Sequence, residues 1–132
     1  MKKGSKVLIV DSSSVTRFFL RQSLENNGHK IVGEATNCHD TLKLYKESKP
    51  DIVLLDIYLP NDNGLRILKQ LINYDKDANV IMCSSAALQN IIIEAHQLGA
   101  RYFLVKPFAD EILETTIQKV LKTQKTPQNC LI

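Results

Sequence analysis

The 132 residues hold no apolar stretch long enough to cross a bilayer. The first apolar run, Val7 to Val10, follows Lys2 and Lys3 but is interrupted at Asp11, too soon for a signal peptide. The three cysteines, Cys38, Cys83 and Cys130, form no C-x-x-C pair, and His29, His39 and His96 are scattered without ligand spacing. Zinc is therefore not expected, the histidines read as surface residues, and a reduced cytoplasmic protein with free thiols is expected. Cys130 stands third from the end, whereas a prenylation box needs it fourth. Seventeen Lys and Arg against fourteen Asp and Glu give a formal charge of +3 with no dense basic block, which makes no case for nucleic acid. Gly33 alone is no dinucleotide fingerprint, and Gly4-Ser5-Lys6 precedes the first apolar run, whereas a phosphate loop must follow it. ATP and NAD sites are not expected, and no internal repeat or low-complexity tract is present.

What is present is ordinary globular composition, 44% apolar and 23% charged. A chain of this length buries roughly two thirds of its unfolded surface, enough for one core. Residues 1–124 read as one domain and 125–132 as a polar, frayed tail. Five short apolar runs recur: Val7 to Val10, Ile31 to Gly33, Ile52 to Leu55, Val80 to Cys83 and Tyr102 to Val105. Between them lie amphipathic stretches. Ser12, Ser13 and Ser14 offer caps for a first helix using Val15, Phe18, Phe19 and Leu24, and Asn27-Gly28 stops it. A second helix near 40–48 closes at Lys49-Pro50, a third carries Leu65, Leu68, Leu71 and Ile72, and a fourth near 88–98 ends at Gly99. Asp110 is expected to cap a fifth helix with Ile112, Leu113, Ile117, Val120 and Leu121 inward. Continuous apolar strands alternating with helices specify a doubly wound α/β fold around a parallel sheet buried on both faces.

In such sheets ligands bind beyond the carboxyl ends of the strands. Asp11, Asp56, Ser84 and Lys106 stand there, at the ends of the first, third, fourth and fifth runs. Two carboxylates brought together repel unless a cation neutralises them, and hard oxygen ligands suit Mg²⁺. A lysine and a hydroxyl beside them can each hold a phosphoryl oxygen, so the set fits phosphoryl transfer. Singly each has a plainer use: Asp11 as a turn former, Ser84 and Ser85 as caps, Lys106 in solvent. Jointly they are far more specific.

The stretches LIVDSSSVTR (8–17), DIVLLDIYLPNDNG (51–64), VIMCSSA (80–86) and GARYFLVKPF (99–108) resemble the receiver domain of two-component response regulators. Residues 80–108 look most like the stand-alone chemotaxis receivers of the CheY kind. The resemblance implies a five-stranded flavodoxin-like sheet of order 2-1-3-4-5. It makes Asp56 the acceptor of a phosphoryl group from a sensor histidine kinase or phosphotransfer protein. It places Mg²⁺ on Asp11, Asp56 and the Tyr58 carbonyl, with Ser12 beside them. Ser84 matches the switch hydroxyl, Phe103 the rotating aromatic, and Lys106 the lysine that pairs with phosphoryl oxygens, followed by a cis bond to Pro107. Output is expected by docking of a target protein on the helix 4, strand 5, helix 5 face, with no catalytic activity beyond the protein's own phosphorylation and dephosphorylation.

One departure stands out. Receivers usually carry two adjacent acids after the first strand, and here Asp11 is followed by Ser12. The metal site therefore lacks one negative charge. Two other readings follow from the same residues. One is a degenerate receiver that binds proteins without phosphate. The other is a haloacid-dehalogenase-like phosphatase, which needs a second Asp two residues after the first, where this chain has Ser13, and usually a cap insertion. Tyr58 and Ala86, two residues beyond the acceptor and the switch hydroxyl, offer no amide or acid to orient water, and a long-lived phosphorylated state is expected.

Overall fold

The protein is described by a computed structural model, which covers residues 4–86 and 88–123. The tail expected over 125–132 lies outside the described residues. The strands are β1 (Lys6–Val10), β2 (Lys30–Ala35), β3 (Ile52–Asp56), β4 (Val80–Ser84) and β5 (Tyr102–Val105), and the helices are α1 (Ser14–Asn26), α2 (Cys38–Ser48), α3 (Gly64–Tyr74), α4 (Gln89–Leu98) and α5 (Asp110–Lys122). The strands form one parallel sheet in the order β2-β1-β3-β4-β5, as expected. A short antiparallel hairpin, Tyr58–Leu59 against Asp62–Asn63, follows β3.

Alternate residues of the central strands feed two cores. Leu8, Val10, Val53, Leu55, Val80 and Met82 pack with Ile67, Leu68 and Leu71 of α3. Val7, Ile9, Ile52, Leu54 and Ile81 pack with Leu24 of α1 and Leu113, Ile117 and Val120 of α5. The continuous apolar runs are thus explained by burial on both faces. The edge strand β5 differs: Tyr102 and Val105 are exposed, because only β4 pairs with it.

Three local expectations are corrected. Val15, Phe18 and Phe19 do not form the inner face of α1. They are 64%, 55% and 61% exposed, and Leu20, Ser23 and Leu24 point inward instead. Leu20 and Leu24 share a stripe at the i, i+4 spacing, and Val15 and Phe18 fall on the opposite side of the cylinder. On α5, Ile112 is likewise exposed, and Ala109 rather than Asp110 is the N-cap, with no side-chain capping bond. Asp110 and Glu111 instead lie in the first turn, where their charge suits the helix dipole. His29 is buried rather than on the surface. Its Nδ1 accepts the Ser5 N–H at 3.1 Å, which leaves Nε2 as the donor to Glu114 Oε1 at 2.7 Å. His39 and His96 are exposed, as expected.

The other boundaries follow their signals. Ser13 caps α1 by accepting the Thr16 N–H, and Gly28, at φ +85°, allows the chain to leave Asn27 for β2. Asn37 caps α2 by accepting the Asp40 N–H. Leu88 precedes α4 with no side-chain cap, so neither Ser84 nor Ser85 serves that helix.

Candidate functional site

The sheet brings the four expected polar residues to its carboxyl edge. Asp11 directly follows β1, and its N–H bonds Ala35 O at 3.1 Å. Asp56 ends β3, and Ile57 N–H bonds Cys83 O on the neighbouring strand. Ser84 ends β4, and Lys106, one residue past β5, donates its N–H to Ser84 O at 2.7 Å. The Lys106-Pro107 bond is cis, as the resemblance implied.

The side chains of Asp11, Asp56 and Lys106 meet. Lys106 Nζ lies 2.6 Å from Asp11 Oδ2 and 3.4 Å from Asp56 Oδ1. The other oxygen of Asp11 accepts the Ser13 N–H at 2.9 Å. Asp56 is buried, and this desolvation holds its carboxyl above the usual range; Lys106 pulls it down and Asp11 pushes it up. Burial opposes the charge on Lys106, but its hydrogen bond to Asp11 and the charges of both carboxylates outweigh that and hold its pKa raised. Cys83, behind the site, is fully buried, which pushes its thiol up to about 12 and leaves it inert.

Ser84 is wholly buried, and its hydroxyl accepts the Ala86 N–H at 3.1 Å. Phe103 is half-buried on β5 against the core shared by α3 and α4. Ser12 and Tyr58 are exposed and line, with Leu59, Pro60, Leu65 and Ile91, an open groove of about 400 Å³ formed by residues that follow Asp11 and Asp56 in the chain. No three His, Cys, Asp or Glu among the described residues come together as a metal cluster. Oxygen donors are nevertheless present: the carboxylates of Asp11 and Asp56 meet at Lys106, and Ser12 and Tyr58 line that groove. That set is chemically suited to Mg²⁺ retaining several waters, with one charge fewer than three acids would supply.

Residues that the motifs did not single out hold this arrangement in place. Gly64 donates its N–H to Ile57 O at 2.8 Å, and a Cβ there would collide with the Asp56 carbonyl, so only glycine fits. Asp62, in the same hairpin, accepts from the Cys38 N–H at 2.7 Å, the Asn63 N–H at 2.8 Å and the Arg66 guanidinium at 2.6 Å. The DNG sequence at 62–64 reads as a turn, and nothing local signals a bond to a residue 24 positions away.

The sequence profile of the response regulator receiver domain matches residues 7–118. The chain belongs to the receiver family. This receiver is 40% identical over 119 residues to the chemotaxis protein CheY of Thermotoga maritima, covering 90% of this chain and 99% of that protein. It is 41% identical over 117 residues to CheY of Bacillus subtilis, covering 88% and 97% of the two chains. The crystal structure of the CheX-CheY-BeF3-Mg²⁺ complex from Borrelia burgdorferi contains a chain that matches this receiver at 31% identity and a TM-score of 0.84, with 88% of each chain covered. Members of the family are, in general, non-enzymatic signalling modules that bind Mg²⁺ at the phosphorylation site. This receiver is closely related to the CheY chemotaxis proteins, and no helix among its described residues is long and apolar enough to cross a membrane.

Proposed function

We propose that the protein is a single-domain response regulator of a chemotaxis-type pathway, phosphorylated on Asp56 by a histidine kinase or phosphotransfer protein. The observation that carries this reading is the meeting of Asp11, Asp56 and Lys106 within hydrogen-bonding reach at one edge of the sheet. An Asp56 carboxylate oxygen attacks the phosphorus of a phosphohistidine. The phosphorus–nitrogen bond breaks, its electron pair returns to the imidazole, and the imidazole takes up a proton.

Lys106 pairs with the transferred oxygens, and the Ser84 hydroxyl donates a hydrogen bond to one of them. As Ser84 turns towards the phosphoryl group its bond from the Ala86 N–H lengthens or breaks, and Phe103 follows into the space vacated. Asp11, Ser12, Asp56 and the Tyr58 carbonyl would hold Mg²⁺. Bound there, the ion supplies charge neutralisation for the phosphoryl group.

The readout is docking of a target on the face formed by α4, β5 and α5. Ile93, Tyr102, Val105 and Ile112 are exposed apolar side chains on these elements, which supports a protein contact there. The protein acts as a switch and not as an enzyme on external substrates. A cytoplasmic setting agrees with the free, buried thiols of Cys38 and Cys83. Ser13, where a dehalogenase-like phosphatase needs its second Asp, is committed to capping α1.

The test is intact-mass spectrometry after exposure to phosphoramidate and Mg²⁺. One phosphoryl group should add to the parent and none to Asp56→Asn. A parent that gains no mass supports the second reading, which Ser12 favours: a receiver uncoupled from phosphate that works as a protein-binding module.

A further inference from the structure

The loop that carries Asp56 into α3 is fastened at an unexpected point. The hairpin pairs Tyr58 with Asn63 and Leu59 with Asp62, and Gly64 N–H closes back onto Ile57 O. This makes residues 57–64 one compact unit attached to the acceptor. The Asp62 carboxylate, only 6% exposed as a side chain, then reaches outside that unit. Its Oδ2 accepts the backbone N–H of Cys38, the first residue of α2, at 2.7 Å. Its Oδ1 accepts from Asn63 N–H and from Arg66 one turn further on.

The attachment matters because of what precedes Cys38. The turn from β2 into α2 begins at Ala35, whose carbonyl accepts the N–H of Asp11. Asp11 and the Asp56 loop are therefore joined by a short path: Asp11 N–H to Ala35 O, two residues to Cys38, and Cys38 N–H to Asp62. The N-terminus of α2 favours a negative partner, and charge-assisted bonds of this kind are short and strong. Burial works to raise the Asp62 carboxyl, but the Cys38 and Asn63 amides and Arg66 outweigh it and hold the group below the usual range. Asp62 is thus an ionised, fully partnered carboxylate that joins the Asp56 loop to the turn from β2 into α2, the turn whose first residue, Ala35, holds the Asp11 N–H.

We propose that Asp62 is a positioning residue for the phosphorylation site. The sheet pairs Val10 with Leu55, one residue before each acid, and by holding the Cys38 amide Asp62 fixes the loop beyond Asp56 against the turn that holds Asp11, and so keeps the two carboxylates in place around the incoming phosphoryl group. This rests on the phosphorylation reading above. Catalysis by positioning is steep in distance, and displacements of about 1 Å cost up to about a hundredfold in rate.

The experiment compares the full chain with Asp62→Ala, Asp62→Asn and Arg66→Ala. Phosphorylation by phosphoramidate at fixed saturating Mg²⁺ is followed by intact mass, and folding is checked by thermal unfolding. Asp62→Ala should lower the maximal rate about tenfold or more, with the half-saturating phosphoramidate concentration within about twofold of the parent. Asp62→Asn retains one carbonyl acceptor of the same shape and should recover part of the rate. Arg66→Ala leaves the Cys38 bond in place and should stay within about twofold of the parent.

A folded Asp62→Ala that reacts at the parental rate overturns the proposal, as does an Arg66→Ala loss equal to that of Asp62→Ala. Should Asp62→Ala fail to fold, Asp62→Leu, of similar size but with no acceptor for the Cys38 amide, takes its place, and a parental rate there overturns the proposal equally. A parent that gains no mass overturns the phosphorylation reading itself, and the role of Asp62 with it. The two failures are distinguished by the parent.

Discussion

Lys106 is bound more closely to Asp11, at 2.6 Å, than to Asp56, at 3.4 Å. The lysine charge is thus shared unequally, and Asp56 remains the less neutralised of two buried acids. Under the proposed function this favours attack by Asp56, because a carboxylate tightly paired with an ammonium is a poorer nucleophile.

Asp56→Asn should raise thermal stability at neutral pH. Burial raises the folded-state pKa of Asp56 above its unfolded value, so its ionised form costs stability at pH above both. As pH falls through the raised folded value towards the ordinary value of about 3.9, Asp56 takes up a proton and the cost is relieved. The advantage of the Asn variant should therefore be full at pH 7 and shrink on acidification through that window. Unfolding midpoints of both proteins across pH check this, and a variant no more stable than the parent at pH 7 contradicts it.

Ser12→Asp should tighten Mg²⁺ binding about tenfold or more. A unit charge added about 4 Å from the ion is worth a few kcal/mol near a protein surface, from which ligand rearrangement subtracts. Ser12, next to Asp11 in the chain, is exposed and accommodates a carboxylate without repacking. Titration of both proteins with Mg²⁺ by calorimetry decides the matter, with equal affinities removing Ser12 from the account.

The phosphorylated state should be long-lived. Ala86 has no side-chain donor or acceptor, and Tyr58, which is 51% exposed, presents a bulky phenol in place of an amide or acid. Losing a group that orients the attacking water slows hydrolysis by about one to two orders of magnitude. A Tyr58→Asn, Ala86→Glu double variant should lose phosphate that much faster. Decay of purified phosphoprotein at saturating Mg²⁺ measures it, and parental decay within seconds refutes the idea.

His29→Ala should destabilise the fold by about 2 kcal/mol, because it leaves buried Ser5 and the half-buried Glu114 without the ring that joins them. The bonds tie the entry of β1 to α5, away from the carboxyl edge, so Asp56 chemistry should be unaffected. Urea unfolding supplies the first measurement and phosphorylation by phosphoramidate the second.

Much of this protein was legible in its sequence by itself. The five apolar runs and the caps and stops between them determine a doubly wound parallel sheet, because strands buried on both faces leave no polar alternation. The position of Asp11, Asp56, Ser84 and Lys106 directly after those runs follows from the same pattern, since such sheets expose their strand ends at one edge. Only the tertiary structure decided how α1 is rotated, turning Phe18 and Phe19 to solvent although they are more apolar than Ser23, which is buried. It alone decided that His29 joins Glu114, 85 residues away, that Asp62 joins Cys38, and that Lys106 prefers Asp11 to Asp56. Periodicity records which residues can be buried together, whereas helix rotation and long-range hydrogen bonds depend on neighbours that the chain supplies only once it is folded.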